Sequence, residues 1–348
     1  RSEIIEFDGD MDDEDLIEQE DMVVTVTQTG YIKRTALSEY REQKRGGKGS
    51  QGMNTKDEDI VTSLFVANTH TPLLFFTSNG IVFKLKTWRL PQGGRNSRGK
   101  AIINMLPIAS GTSVAAIMPV DVPEENWADL QIFFSTSTGD VRRNALSDFT
   151  NVKSNGKIAM KLPEGTSLVG ARICSSINDV MLTTSMGKAI RFSVTDVRVF
   201  KGRDSIGVRG IRLAPKDRVV SMAIISHVDA SSDERNAFFK MQKSIAGEEP
   251  FSEQVETLDT AAVMSDERFN ELAKQEEWIL VITSSGFGKR SSAHEYRVSS
   301  RGGQGITAAN LGRRDDTIIS SFPVENDDQI MLVSSTGQSI RCPVQGIS

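Results

Sequence analysis

The sequence predicts an all-β protein of six blades, each of about four short strands, with one mostly helical excursion. Three observations carry that prediction. A hairpin-like line of residues returns six times. Its turn glycines recur roughly every 50 residues. Each copy is flanked by a strand-like run before it and a Gly-and-base loop after it. One such sheet alone would leave its faces and edges open, so the repeats are expected to bury them on neighbours in a ring- or spiral-like disc.

The first hairpin line is MVVTVTQTGYIKRT, Met22–Thr35. It returns as LLFFTSNGIVFKLK (73–86), QIFFSTSTGDVRRN (131–144), VMLTTSMGKAIRFS (180–193), WILVITSSGFGKRS (278–291) and IMLVSSTGQSIRCP (330–343). Each has a β-branched and aromatic run, a Ser/Thr/Asn-Gly turn and a second run with a base, the pattern of a β-hairpin. The turn glycines Gly30, Gly80, Gly139, Gly187, Gly286 and Gly337 are spaced by 50, 59, 48, 99 and 51, so the fifth unit holds a large insertion.

Before each later hairpin stands a strand-like run: DIVTSLFV (59–66), TSVAAIMPV (112–120), TSLVGARIC (166–174), RVVSMAII (218–225) and TIISSFPV (317–324). After the hairpins come RGGKG (45–49), GRNSRGKA (94–101), KSNGKIA (153–159), KGRDSIGVRG (201–210) and SRGGQG (300–305), each leading to a short fourth strand. Contiguous tiling places the blades of a single domain, 1–348, at about 22–58, 59–110, 111–164, 165–216, 217–314 and 315–348. The sixth stops at PVQGIS without its last strand. Either Ile4–Phe7 completes something there or the array is cut short.

Two segments break the repeat. DDEDLIEQED (12–21) reads as a short helix with acids at its N-terminal turn. Residues 229–277 read as a mostly helical acidic excursion, with Ser265 as an N-cap and Phe269, Leu272 and Ala273 at helical spacing.

Composition narrows the function. The chain has 348 residues, 38% apolar and 25% charged, an ordinary globular balance. No apolar run approaches the ~18 residues of a membrane-spanning helix. The start, RSEIIEFDGD, has neither a signal pattern nor an initiator Met, so a piece of a longer cytoplasmic chain is expected. Cys174, Cys342 and the three histidines lack metal spacing, so no metal and no cofactor are expected, and the cysteines read as idle thiols. Lys48 is followed by Gly, which excludes a Walker A loop. In DGDMDDEDLIEQ (8–19), Asp13 and Gln19 occupy the Gly and Glu positions an EF-hand requires.

Charge is uneven. The net −5 conceals −10 over residues 1–21 and −8 over 227–277, which leaves +13 on the remainder. Such asymmetry points to a polyanionic partner. Bases recur just after the turn glycine: Lys33 and Arg34, Lys84 and Lys86, Arg142 and Arg143, Lys188 and Arg191, Lys289 and Arg290. The loops and their borders add Arg41, Arg95, Arg98 and Lys100, then Lys153 and Lys157, then Lys201, Arg203 and Arg209, and finally Arg301. Strand alternation is expected to aim some strand bases at a common rim. A basic rim suits duplex DNA, which carries a charge about every 1.7 Å of axis. Loop glycines let backbone approach phosphates closely. Single-stranded RNA fits less well, because aromatics are only 6% and mostly lie in strand runs.

The densest basic stretch is REQKRGGKG, Arg41–Gly49. Within it Gln43, Lys44, Arg45, Gly46, Gly47, Lys48 and Gly49 resemble the signature box Q-R-R-G-G-K-G of the C-terminal domain of bacterial DNA gyrase A. The preceding DMVVTVTQTGYIKRTALSEYR resembles that family's first hairpin, and the resemblance covers nearly the whole chain. It implies a six-bladed β-pinwheel whose neighbouring blades exchange strands. It implies duplex DNA wrapped on the outer rim with positive handedness, the box being needed for the wrap. The partners it implies are DNA, the rest of the gyrase A polypeptide and the gyrase B polypeptide, in an A2B2 holoenzyme that introduces negative supercoils. The isolated domain would be a monomer, nucleoid-associated in the bacterial cytoplasm. The DNA-cleaving tyrosine of that enzyme lies upstream, so Tyr31, Tyr40 and Tyr296 are not catalytic and no catalysis is expected from this chain alone. Three departures stand out. Lys44 replaces the usual Arg, keeping charge but losing a planar fork. The 229–277 excursion is absent from the commonest form. The end at Ser348 lacks the last loop, the last strand and an acidic tail.

Other readings are a topoisomerase IV-type C-terminal domain, whose box is degenerate, and a propeller-type protein-interaction scaffold. The second would show Trp-Asp or kelch-type signatures and a neutral rim. A propeller-channel enzyme would need clustered His, Asp or Glu, and only three His exist.

Overall fold

The structure, a computed structural model, describes residues 13–39, 61–94, 97–245, 264–312, 315–333 and 339–347. The run Ile4–Phe7, the box Gln43–Gly49 with Arg41, and Arg95 lie outside the described residues. In chain order, β1 (Asp21–Thr27) and β2 (Tyr31–Ala36) come first. β3 (Val61–Asn68), β4 (Pro72–Thr77), β5 (Ile81–Lys86) and β6 (Lys100–Ala101) follow. Next are β7 (Val114–Pro119), β8 (Gln131–Thr136), β9 (Asp140–Ala145) and β10 (Lys157–Ile158). The fourth unit has β11 (Leu168–Cys174), β12 (Asn178–Thr184), β13 (Lys188–Ser193), β14 (Val199–Phe200) and β15 (Val208–Arg209). β16 (Val219–Ser226), helices α1 (Ser232–Ile245) and α2 (Asp266–Lys274), β17 (Trp278–Thr283), β18 (Gly288–Ser292) and β19 (Ile306–Thr307) make the fifth. β20 (Ile318–Val324), β21 (Gln329–Val333) and β22 (Ser339–Pro343) close the chain.

All six predicted hairpins form: β1–β2, β4–β5, β8–β9, β12–β13, β17–β18 and β21–β22. Local chemistry explains the turns. A Thr stands three residues before five of the turn glycines, at Thr27, Thr77, Thr136, Thr184 and Thr283. Its carbonyl accepts from the glycine N–H, at 3.0 Å for Gly30 and 2.9 Å for Gly80. In the first four its hydroxyl also accepts from the next residue's N–H, at 3.0–3.2 Å. Gly30, Gly80, Gly139, Gly187 and Gly286 take φ of 82–88°, which completes a three-residue hairpin loop that an L side chain would strain.

The flanking strands do not pair as contiguous tiling expects. The sheets run β3-β1-β2-β6, β10-β5-β4-β7, β11-β8-β9-β14 with β15 beside β9, β16-β12-β13-β19, and β18-β17-β20, with β21-β22 as a two-stranded pair. Each of the first four hairpins therefore takes both flanking strands from the next repeat, and the fifth takes β20. β3, inside 59–110, pairs along β1 from Asp21↔Asn68 to Thr27↔Val61, and β6 pairs with β2 at Tyr31↔Ala101. Each of these sheets therefore draws its strands from two successive repeats, the exchange between neighbours that the family resemblance implies.

By contacts the chain divides into two compact units: Arg1–Trp127 with Phe149–Ala159 and Leu332–Ile340, and Ala128–Asp148 with Met160–Met331 and Arg341–Ser348. In the first, Val24, Val26, Ile32, Leu73, Phe75 and Phe83 join the faces of the first two sheets in one core. In the second, Phe133 and Val141 meet Val180, Leu182, Ile190 and Phe192 between the third and fourth sheets. Met181, Ala189 and Ala223 meet Ile279, Val281 and Ile318 between the fourth and fifth. Phe75, Phe76, Phe133 and Phe134 are fully buried, as core aromatics should be.

The excursion forms α1 and α2 between β16 and β17, at the junction of the fourth and fifth sheets. Ser265 caps α2, its hydroxyl accepting from Arg268 N–H at 3.2 Å. Phe238 of α1 is fully buried against Phe269, Leu272 and the edge of the His294 ring. His294 Nε2 lies 2.9 Å from the Leu272 carbonyl, so the excursion is bonded to the fifth blade. The expected helix over 12–21 is only a 3-10 turn, Asp13–Leu16. Seven acids in ten residues repel one another on a helix. Tertiary bonds hold the segment instead: Glu14 Oε1 meets Lys86 Nζ at 2.9 Å, and the Glu18 carbonyl accepts from Thr69 Oγ1 at 2.8 Å.

Candidate nucleic-acid interface

The strand bases are largely internal. Four residues past the turn glycine, Arg34, Lys84, Arg143, Arg191 and Arg290 repeat one position of the hairpin. Arg34 Nε donates to the Leu90 carbonyl at 3.0 Å. Lys84 Nζ pairs with Glu124 and donates to the Thr150 carbonyl at 2.8 Å. Arg143 donates to Gln131 Oε1 at 3.1 Å and Arg290 to Asn326 Oδ1 at 2.8 Å. Arg191, 3% exposed, pairs with fully buried Asp179 at 2.8 Å and donates to the Ala293 and Ser226 carbonyls. Burial pushes the Arg34 and Arg143 guanidiniums down from their ordinary pKa.

One residue earlier, Lys33 and Arg142 enter the loop that crosses their strand. Lys33 Nζ, fully buried, donates to the Gly94 carbonyl at 3.0 Å, and desolvation lowers its pKa against the pull of Glu39. Arg142 donates to the Ser205 carbonyl and to Asn144 Oδ1, while Asn144 Nδ2 donates to the Phe200 and Gly202 carbonyls at 3.1 Å. Lys86 is held by Glu14 and the His70 carbonyl. The expectation of outward strand bases is thus corrected for Lys33, Arg34, Lys84, Lys86, Arg142, Arg143 and Arg191. A charge beneath a polar loop is stabilised by the loop's carbonyls, so it stays inside.

These cations shape the loops. The start of each runs parallel to the strand it crosses, at Arg34↔Gln92, Val199↔Arg143 and Arg191↔Val298. Before the short fourth strand, one glycine lies against the hairpin backbone. A Cβ on Gly99, Gly207 or Gly305 would stand 2.3–2.4 Å from the carbonyl oxygen of Ile32, Val141 or Ala189. Part of the glycine content read as room for phosphates therefore serves loop-on-strand contact.

Loop cations face solvent instead. Lys100, Lys153, Lys201, Arg209 and Arg301 are exposed, as are Lys188 and Lys289 near the hairpin tips. Arg98 stacks on Tyr31 at 3.8 Å, Lys157 Nζ reaches the Asn151 carbonyl at 3.0 Å, and Arg203 is half-buried. In the second unit two loops abut: Gly302 N–H donates to the Gly210 carbonyl at 2.6 Å and Arg301 Nη1 to the Arg209 carbonyl at 3.1 Å. That contact brings Arg209, Arg212 and Arg301 together over glycine-rich backbone.

Sequence reading missed Arg198, Arg212, Arg235 and Arg297. A signal existed for two of them. Arg41, Arg198 and Arg297 each stand eleven residues past a turn glycine. Arg198 is exposed and stacks on Phe200 at 4.1 Å. Among the described residues no group of three His, Cys, Asp or Glu could hold a metal ion. Cys174 is buried and its thiol is pushed up to about 12 by desolvation, so it is no nucleophile. No helix among the described residues is long and apolar enough to cross a membrane.

Comparison with known proteins bears on the fold and the family. The family model described as "DNA gyrase C-terminal domain, beta-propeller" matches residues 21–68, 71–120, 131–175, 178–226 and 277–325, one hairpin in each. DNA gyrase A of Granulibacter bethesdensis is 43% identical over 100% of this chain, and that of Rickettsia bellii 42% over 98%. The chain spans 38% of the length of either relative. Among solved structures, the C-terminal domain of DNA topoisomerase IV superposes with a TM-score of 0.68 at 22% identity, covering 95% of this chain and 86% of the other. The DNA gyrase A C-terminal domain does so with 0.62 at 21%, covering 92% and 89%. At those identities the likeness shows the fold, a β-pinwheel of strand-exchanged blades. With five of its six hairpins matched in register, the chain belongs to the DNA gyrase C-terminal-domain family of β-propellers.

Proposed function

We propose that this chain binds duplex DNA through its exposed loop cations without reading base sequence, and bends it along a chiral path. The observation that carries this reading is the division of labour among the bases. Strand bases clamp the loop backbone from beneath, while Lys100, Lys153, Lys201, Arg209 and Arg301 stay in solvent above glycine-rich loops. Loops held from beneath and carrying several solvent-exposed cations suit phosphates at fixed spacing. Bending costs on the order of 1–6 kcal/mol for a site of 20–30 bp, so contacts from several loops are required.

Within a type II topoisomerase, positive wrapping would present a nearby segment of the same DNA for passage and so yield negative supercoils. The box Gln43–Gly49 would clamp that wrap. The chain would act with the rest of gyrase A and with gyrase B, performing no cleavage or ATP hydrolysis itself. The test is to bind the purified chain to nicked circular plasmid, ligate, deproteinise and read the linking number. A positive shift, lost when Lys44, Arg45 and Lys48 become Ala, is expected. Binding without a shift would remove the chiral part of the proposal, and no binding would remove all of it.

A further inference from the structure

The loops that cross the third and fourth blades are joined to each other as well as to their own hairpins. The third-blade loop runs from Asp196 through β14 and β15 to Gly210, and the fourth-blade loop from Arg297 to Gly305. Arg301 reaches from the second loop to the first. Its Nε donates to the Asp196 carbonyl at 3.0 Å and its Nη1 to the Arg209 carbonyl at 3.1 Å. One guanidinium thus holds both ends of the loop in the preceding blade. Two backbone bonds lie beside it: Gly302 N–H donates to the Gly210 carbonyl at 2.6 Å, and Arg212 N–H to the Gly303 carbonyl at 2.7 Å. Arg142 holds the same third-blade loop from beneath, through the Ser205 carbonyl.

The joint is not a general feature of the repeat. In the first unit, no backbone hydrogen bond among the described residues links the loop at 94–101 to the loop at 153–159. Both acceptors of Arg301 are backbone carbonyls, so the contact fixes loop against loop rather than neutralising an acid. A planar guanidinium meets two separate carbonyls in fixed directions, which a point-charged ammonium on a flexible stem does not reproduce. Exposed cations stand on both sides of the joint, Lys201 and Arg209 on one loop, Arg297 and Arg301 on the other. A duplex touching both loops would meet their cations at positions set by the offset between them. That offset decides whether the DNA path stays in one plane or climbs, and a climbing path has a hand.

We propose that Arg301 is a positioning residue, which locks the third- and fourth-blade loops in one offset and thereby sets the hand of the DNA path. This rests on the DNA reading above. The experiment measures the linking-number shift per bound chain on nicked, religated plasmid at saturating full chain. Duplex anisotropy at several salt concentrations and thermal melting are read on the same preparations. Arg301→Lys, which keeps the charge and loses the fork, is expected to lower the shift per bound chain by at least half, in larger proportion than affinity. Arg301→Gln should do the same and also reduce the slope of log K against log salt by about 0.9. Lys201→Ala, on the same surface but outside the joint, should weaken binding and keep the shift per bound chain. Should Arg301→Lys melt like the unaltered chain and keep its full shift, or lose shift only as affinity falls, Arg301 is a contact cation. The positioning role is then overturned and the DNA reading stands. An unaltered chain that binds without any shift overturns the positioning role together with the chiral part of that reading, and one that does not bind overturns both entirely.

Discussion

Arg191 stands on β13 with its side chain 3% exposed. It shares its repeat position with Arg34 and Arg290, yet it is sealed with Asp179, while His227 Nδ1 holds the other carboxylate oxygen at 2.8 Å. Arg191→Met would leave a buried carboxylate with only a half-exposed imidazole. Breaking such a pair costs about 3–5 kcal/mol, and His227 places this case at the lower end. Urea unfolding should show that loss, and an unchanged midpoint would contradict it. A second residue gives a pH signature. Desolvation would raise the Asp316 carboxyl, but bonds from Ser284 Oγ at 2.8 Å and Ser285 N–H at 3.0 Å outweigh it and hold the group at about 2. A folded pKa below the unfolded 3.8 stabilises the protein above that value, and the contribution is lost as pH falls from 3.8 to about 2. Asp316→Asn should therefore lower the melting temperature near neutral pH, with a gap that closes on acidification.

At the scale of an element, the loop between hairpin and fourth strand is the working part. Its cations point to solvent because other cations hold its carbonyls and one glycine lets it lie on the hairpin. Gly207 takes φ of +99°, and a Cβ there would stand 2.3 Å from the Val141 carbonyl oxygen. Gly207→Ala should cost about 1–3 kcal/mol in strain. It should also weaken duplex binding though it removes no charge, because Lys201, Arg203 and Arg209 share that loop. Thermal melting and anisotropy on one preparation test both halves, and full affinity with lowered stability would show that loop shape does not matter. The helical excursion is an element of another kind: buried Phe238 and the His294–Leu272 bond tie it to the fifth blade.

At the scale of the whole molecule, buried and exposed cations should separate in experiment. Lys201→Ala with Arg209→Ala should reduce the salt slope by roughly 1.8 if each makes one phosphate contact, with little change in stability. Lys33→Met should lower stability and leave the slope nearly unchanged, since Lys33 is fully buried on the Gly94 carbonyl. If instead Lys33→Met alone collapsed the slope, the division between clamping and contacting cations would be wrong. Strand exchange bears on the same scale, because the first five hairpins depend on the next repeat for outer strands.

The hairpins were legible in the sequence because they are local. A Thr and a glycine three residues apart close five of the turns, and alternating apolar runs mark the strands on either side. The repeat count, the capped helix at Ser265 and the family box follow from the same short-range patterns. Which sheet a flanking strand joins was decided only by tertiary structure. Val61–Asn68 has the same strand-forming residues whether it pairs with β4 or with β1, and packing chose β1. The same holds for the bases. Arg142 and Arg209 are alike in a charge count, yet one lies beneath a loop crossing its strand and the other is exposed in that loop. Burial depends on chain that arrives some 60 residues later, so no local pattern could tell a clamp from a contact.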